Sequence, residues 1–262
     1  MMKVTAIMGS PRRRGFTYLA TRRFLDNLAW SGDVQSEIVS LSDIELEPCM
    51  GCKTCFLRGE EFCPLHDDRD TLIRKMLDSD GIVFATPNYS FHVSGRMKTF
   101  LDRLGFVFHR PCFQGRTFTS IVAQGIYGCA NVVKYLDFVG RGLGFNVVKG
   151  SCITALEPMS TKDRDKMEKV LDAQSRRFHQ RLLRPDPDVP SFIQLMGFRM
   201  GRTSVKLTLS EDKRDYKYYR DRGWFSSAYF YPTELSLLKT AAGAVFDWSA
   251  GRIYANRRDA CV

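Results

Sequence analysis

Over the first two-thirds of the chain one order repeats: a short apolar run, a loop, then a longer stretch with apolar residues three and four apart. Residues 4–8 form the first run, and residues 18–28 follow with Leu19, Phe24, Leu25 and Leu28 at helical spacing. Residues 34–39 alternate like a strand and lead into a cysteine-rich loop. Leu72, Ile73, Met76 and Leu77 mark the next helix, with Asp67 or Asp68 as its cap and an acidic first turn suited to the helix dipole. Residues 81–86 read as a buried strand that stops at Pro87. Ser94 then caps a helix carrying Met97, Phe100, Leu101 and Leu104. Residues 117–123 are a further strand, and a helix over 131–142 ends at Gly142 or Gly144. Residues 145–154 supply a fifth strand. Ser160 opens a long helix with Met167, Val170, Leu171, Phe178 and Leu182 on one face.

Five strands alternating with five helices predict an α/β fold, a doubly wound five-stranded parallel sheet. The loops at 9–17, 87–94 and 124–130 each follow a strand, so they gather at the carboxyl ends of the sheet, where ligands bind in such folds. Pro185, Pro187 and Pro190 end the last helix. They divide the chain into a sheet domain over 1–184 and a mostly helical C-terminal extension over 185–262, which closes with an amphipathic helix near 234–248. A segment of about 70 residues seldom supports its own core. The extension is therefore expected to pack on the sheet domain or on a second subunit.

Composition changes this picture little, and charge and cysteines change it more. At 262 residues, 44% hydrophobic and 26% charged, the chain is globular in composition. It holds no apolar run near the ~18 residues of a membrane span and no secretory signal pattern, which points to the cytoplasm. The net charge of +10 lies mainly beyond residue 159, where 20 Lys+Arg face 13 Asp+Glu. Such an excess attracts nucleic acid, an anionic membrane or a phosphorylated cofactor, or is a solvated basic face; nucleic acid is the less favoured partner. Eight cysteines without an export signal argue against a disulfide framework, and Cys112, Cys129, Cys152 and Cys261 read as packing thiols. Cys49, Cys52, Cys55 and Cys63 form C-x2-C-x2-C-x7-C. Two-residue spacers let three thiolates converge on one cluster while the fourth closes it. Structural zinc and reduced, metal-free cysteines are the alternatives.

Two loops carry the remaining chemistry. Gly9, Ser10, Pro11 and Gly15 followed by Thr17 place amides and hydroxyls at a helix N-terminus, an arrangement that favours a phosphate. The full G-x-G-x-x-G is missing, so a terminal monophosphate suits the loop better than a bridging pyrophosphate. Arg12 adds a charge-assisted contact. Residues 86–94 pair backbone amides with Tyr89 and Phe91, as a flat heteroaromatic ring requires. Farther on, Tyr216, Tyr218, Tyr219 and Trp224 are interleaved with arginines. Such residues stack bases, cap a flavin or build a subunit interface, and the interface is preferred.

Taken together, Gly9-Ser10-Pro11-Arg12 with Gly15-x-Thr17, Asp67-Asp68, and Thr86-Pro87-x-Tyr89 leading to Val93-Ser94-Gly95-x-Met97-Lys98 resemble the NADPH-dependent FMN reductase family of flavodoxin-like proteins. The resemblance covers about residues 1–183. The cysteine run resembles that of the iron-sulfur flavoproteins, a branch of the same family in which such a motif ligates a [4Fe–4S] cluster beside FMN. The resemblance implies Ser10, Arg12, Phe16 (through its backbone) and Thr17 for the FMN phosphate. It implies Pro87, Asn88, Tyr89, Ser90 and His92 for the ribityl chain and ring, and Cys49, Cys52, Cys55 and Cys63 for a cluster. Phe16 stands where the family usually has Asn, Asn88 where an apolar residue is common, and the spacer before Cys63 is long for the branch. The implied activity is an FMN-dependent NAD(P)H oxidoreductase that passes electrons to a quinone, a flavin or another acceptor, working as a homodimer or homotetramer. An electron carrier between partner proteins is the alternative reading.

Overall fold

The computed structural model describes residues 1–156 and 158–258. Its strands are β1 (Met2–Met8), β2 (Val34–Ser40), β3 (Gly81–Pro87), β4 (Thr117–Gln124), β5 (Asn146–Val147) and β6 (Ser151–Thr154). The first helices are α1 (Phe16–Ser31), α2 (Thr54–Leu57), α3 (Arg69–Leu77), α4 (Gly95–Arg103) and α5 (Gly105–His109). They are followed by α6 (Cys129–Leu143), α7 (Thr161–Leu182), α8 (Phe192–Thr208), α9 (Arg214–Asp221) and α10 (Leu237–Arg258). Two compact units are present. One comprises residues 1–50, 65–105 and 112–187; the other comprises residues 51–64, 106–111 and the chain from Asp188 onward.

The first unit is a parallel sheet in the order β2-β1-β3-β4-β5, with β6 also paired to β4. This is the flavodoxin order, with the switch between β1 and β3. The expected fifth strand is interrupted. β5 pairs with Thr117 and Phe118, β6 pairs with the end of β4, and the chain detours between them. At Gly150 in that detour a Cβ would lie 2.0 Å from Ser120 Oγ, and the Gly150 amide donates to Asp137 at 3.2 Å. The chain passes β4 too closely there for any side chain.

Alternation along the strands feeds two cores. Val4, Ala6, Val83, Ala85, Ile121 and Ile153 pack against Phe24, Leu25 and Leu28 of α1 and Met167, Leu171, Phe178 and Leu182 of α7. Phe24 and Phe178 meet edge to face at 5.5 Å, worth about 0.5–1.5 kcal/mol beyond the buried area. On the opposite face Phe84 meets Phe100 of α4 and Phe118 of β4, and Gly140 of α6 leaves room for the Phe118 ring.

Ser94 and Ser160 cap α4 and α7 as expected, accepting the amides of Met97 and Asp163. The capping expected of Asp67 or Asp68 is met in part: Asp67 accepts the amide of Arg69, the first residue of α3, at 3.2 Å. Asp68 occupies the N-cap of α3 but its carboxylate takes the Glu45 amide at 3.1 Å. Asp67 takes the Glu47 amide at 2.9 Å and the buried guanidinium of Arg103. These acids thus tie a long loop to α4, a long-range task added to the local one at the start of α3.

Cys129 and Cys152 form a disulfide with Cα atoms 5.8 Å apart, which corrects their reading as packing thiols. The pairing of β6 with β4 brings Cys152 beside the start of α6, a proximity that a separation of 23 positions in the chain conceals. Cys112 is outside any disulfide, and Cys261 lies outside the described residues.

The second unit has a core of its own: Leu195, Phe198, Val205, Tyr219, Trp224 and Tyr229. Trp224 donates its indole N–H to the Phe230 carbonyl at 3.1 Å, and the Tyr219 hydroxyl donates to His109 O at 2.8 Å. The aromatic run expected at an interface is thus largely internal, because residues 51–64 and 106–111 join the extension and enlarge what it can bury. Among the described residues no helix is long and apolar enough to cross a membrane.

Candidate cofactor site

In the first unit a cavity of about 300 Å³ opens at the carboxyl ends of the strands. That lies at the small end of the range for ligand pockets. Its walls come from four consecutive strand exits. The exit of β1 supplies Ser10, Arg12, Gly15, Phe16 and Thr17; that of β3 supplies Pro87, Asn88 and Tyr89. Ala123, Gln124 and Gly125 follow β4, and Ala155 and Leu156 follow β6.

The end at β1 is built for an anion. The Gly9 amide donates to Ala85 O at 2.8 Å, and a Cβ on Gly9 would lie 2.8 Å from both Met97 Cβ and Ser94 Oγ. Ser94 Oγ in turn donates to Gly9 O at 2.6 Å. The first exit is thereby pressed onto the start of α4. Ser10 is buried, and its Oγ accepts the Arg12 amide at 3.2 Å. No side chain caps α1, and its first turn holds no acid. The amides there are left for an outside acceptor, reinforced by the positive end of the dipole. Thr17 is buried in that turn, while Arg13 pairs with Asp43.

The other end combines amide groups with apolar surface. Asn88 donates its backbone amide to Ala123 O at 2.7 Å, and its side chain donates to Gln124 Oε1 at 3.3 Å and Tyr127 O at 3.1 Å. The Asn88 Oδ1 is buried without a hydrogen-bond partner. A buried acceptor left unmade is costly and marks a place for a donor. Gln124, which sequence reasoning passed over, joins three exits. Its Oε1 also accepts the Cys129 amide at 2.7 Å, and its Nε2 donates to Thr154 Oγ1 at 2.9 Å and Ile126 O at 3.3 Å. Its position at the end of a strand, opening the loop at 124–130, was the one signal that marked it.

Seven of the nine residues expected at FMN therefore line one cavity: Ser10, Arg12, Phe16, Thr17, Pro87, Asn88 and Tyr89. Ser90 and His92 do not. Ser90 and Phe91 sit at positive φ, 48° and 64°, in a tight turn that pairs the backbones of Tyr89 and His92 at 3.0 Å in both directions. The turn carries the His92 ring to Tyr135, 4.6 Å away.

The four cysteines show a different result. Cys49 and Cys52 are exposed, and Cys55 and Cys63 are half-buried. Four thiols are the right donors in kind for an iron-sulfur cluster. Among the described residues, however, no three Cys, His, Asp or Glu side chains are grouped to hold a metal. The Cys52 thiol has its pKa held below the ordinary range, chiefly by the Thr54 hydroxyl and then by the Thr54 amide.

Compared with known proteins, the sequence profile of the NADPH-dependent FMN reductase family matches residues 2–156. An iron-sulfur flavoprotein of Methanocaldococcus jannaschii is 43% identical over 102 residues, 39% of this chain and 51% of that protein. The chain thus spans about half the length of that relative. An iron-sulfur flavoprotein of Archaeoglobus fulgidus is 35% identical over 159 residues, covering 57% of this chain and 71% of its own. Among solved structures, RosB with a bound 8-demethyl-8-formylriboflavin-5'-phosphate has a TM-score of 0.57 at 13% identity, over 90% of this chain and 92% of its own. An NAD(P)H:quinone oxidoreductase from Methanothermobacter marburgensis has a TM-score of 0.53 at 17% identity, over 70% and 97%. At such identities the structures show a shared fold alone. The profile, by contrast, covers more than half of the chain, and its span takes in every wall of the cavity from Ser10 to Leu156. With the parallel sheet and the cavity at its switch point, this shows that the chain belongs to the NADPH-dependent FMN reductase family of enzymes.

Proposed function

We propose that the protein is an FMN-dependent oxidoreductase that draws electrons from NADH or NADPH and hands them to a small acceptor such as a quinone or free flavin. The observation that carries this reading is the single cavity wall shared by an uncapped helix N-terminus and the unpartnered Asn88 Oδ1. An anion is held at one end, and a donor-bearing ring is met at the other. FMN bound there supplies hydride acceptance at its N5 and release of electrons in ones or twos.

The chain's own residues bind and orient. The hydroxyls of Ser10 and Thr17, the first amides of α1 and the Arg12 guanidinium are assigned to the phosphate, replacing its water with fixed donors. Asn88 is assigned to a ring N–H through Oδ1. Pro87, Tyr89, Ala155 and Leu156 border the ring with apolar surface, and Gln124 holds their loops in register. Ser90 and His92 are assigned to shaping the turn behind Tyr89. No side chain is assigned to proton transfer. Residues 1–184 are assigned as the cofactor domain.

The cysteine spacing and the names of the relatives favour a second reading, a carrier that passes electrons between partner proteins, with Cys49, Cys52, Cys55 and Cys63 as candidate cluster ligands. Exposed Tyr89, Phe91, Ile126 and Tyr127 support assembly as a homodimer or homotetramer. One experiment separates the two readings. Protein loaded with FMN is desalted, and steady oxidation of NADPH and NADH is followed with a quinone or free FMN as acceptor. Turnover with retained flavin supports the enzyme. Retained flavin that only a reduced protein can reduce supports the carrier, and failure to retain flavin refutes both.

A further inference from the structure

The cysteine loop has little to hold it in place by itself. α2 is a single turn of four residues, and Gly51, Lys53 and Gly59 all stand at positive φ. A helix so short is not stable alone, so its order must come from tertiary contacts. Those contacts lie in the second unit and form a chain of alternating charges. Asp215 of α9, 1% exposed, pairs with Arg110, itself 3% exposed, and accepts His109 Nδ1 at 2.8 Å. Arg110 Nη2 reaches back into the cysteine loop, donating to Cys55 O at 3.0 Å and to Glu60 at 2.7 Å. Arg214 holds the other oxygen of Glu60 at 3.3 Å. Phe56, next to Cys55, stacks on His109 with ring centroids 4.3 Å apart.

Two members of this chain are fully desolvated, so each depends strongly on the charge of the other. Removing the charge of Asp215 leaves buried Arg110 with the half-buried Glu60 as its remaining counter-charge. The same guanidinium is what grips Cys55 O and Glu60. None of these residues lines the cofactor cavity, so the function proposed above makes no use of them.

We propose that α9 of the C-terminal extension is a clamp for the cysteine loop: through Asp215, Arg110 and Glu60 it fixes residues 51–64 and thereby sets the reactivity of Cys55 and Cys63. Asp215, Arg110, Glu60 and Arg214 are positioning residues in this arrangement. The inference stands whether or not the loop takes a metal and whether or not FMN binds.

The test uses the full-length, metal-free, reduced protein. Pulse alkylation with iodoacetamide, read thiol by thiol from peptide masses, is paired with hydrogen exchange of residues 51–64. Asp215→Asn and Glu60→Gln are expected to raise the alkylation rates of Cys55 and Cys63 about tenfold or more, with Cys112 in the first unit unchanged. Asp215→Glu, which keeps the charge, restores rates toward those of the wild type. Arg214→Gln, at the half-buried edge of the network, gives the same pattern at about twofold or more and serves if Asp215→Asn does not fold. Unchanged rates and exchange in Glu60→Gln and Arg214→Gln overturn the proposal. So does an equal rise at Cys112, which would mean general unfolding.

Discussion

Arg12 and Gln124 line the same cavity and are expected to fail in different ways when replaced. Arg12→Ala removes a charge-assisted contact worth about 1.5–3 kcal/mol. It should weaken FMN by about 10- to 100-fold while leaving riboflavin, which lacks the phosphate, unaffected. Quenching of flavin fluorescence during titration reads both. Equal losses for the two ligands would remove Arg12 from the phosphate. Gln124→Leu keeps the volume but leaves the Cys129 amide, Asn88 Nδ2 and Thr154 Oγ1 without their shared partner. Each unmade buried bond costs about 1–3 kcal/mol, so both the thermal midpoint and flavin affinity should fall, for riboflavin as much as for FMN. Ser10 and Thr17 were legible because hydroxyl, glycine and helix start lie within eight residues of one another. Gln124 was not, because its partners come from three strand exits that only the sheet assembles.

At the scale of elements, the contact between the first exit and α4 and the loop tied to α4 decide the frame of the site. Gly9→Ala places a methyl 2.8 Å from Met97 Cβ, a rigid neighbour on α4. It is expected to cost about 1–3 kcal/mol in denaturant unfolding. Asp67 binds Arg103 across 36 residues, and both side chains are buried. Burial pushes the Asp67 carboxyl up, but hydrogen bonds from Arg103 and from the amides of Glu47 and Arg69 outweigh it, and the pKa is lowered. A lowered carboxylate contributes stability that is present above its unfolded pKa of about 3.9 and is lost as pH falls through the folded value. Asp67→Asn should therefore cost about 3–5 kcal/mol at neutral pH, since it strands Arg103. It should also flatten the fall in urea midpoint between about pH 5 and pH 3. A parallel acid limb in the variant would show that other carboxylates carry it. Helix starts at Ser94 and Ser160 were readable because a cap is local. Asp67 takes the first amide of α3 and also holds a distant cation, and only the first of these was readable.

For the whole molecule, two units with separate cores predict that ligand effects are uneven along the chain. FMN at about 100 times its dissociation constant adds about 2.7 kcal/mol to whatever unfolds with the site. Hydrogen exchange should show that gain on β1, β3 and β4, which carry three of the exits. No slowing at any of these strands would argue that the flavin sits elsewhere.

Period and punctuation in the sequence already determined the parallel sheet, its helices and the two exits that resemble a flavin site. Those features rest on forces acting within ten or so residues: alternation, spacing of three and four, glycine at a close approach, a cap. The tertiary structure alone decided that the fifth strand breaks at Gly150, that Cys129 meets Cys152, and that the aromatic tail builds a core with pieces of chain from far upstream. Among the described residues it groups no three Cys, His, Asp or Glu side chains to hold a metal. Spacing states which thiols are able to meet. Whether they do depends on the buried charges and rings that hold the loop, and those partners are distant in the chain.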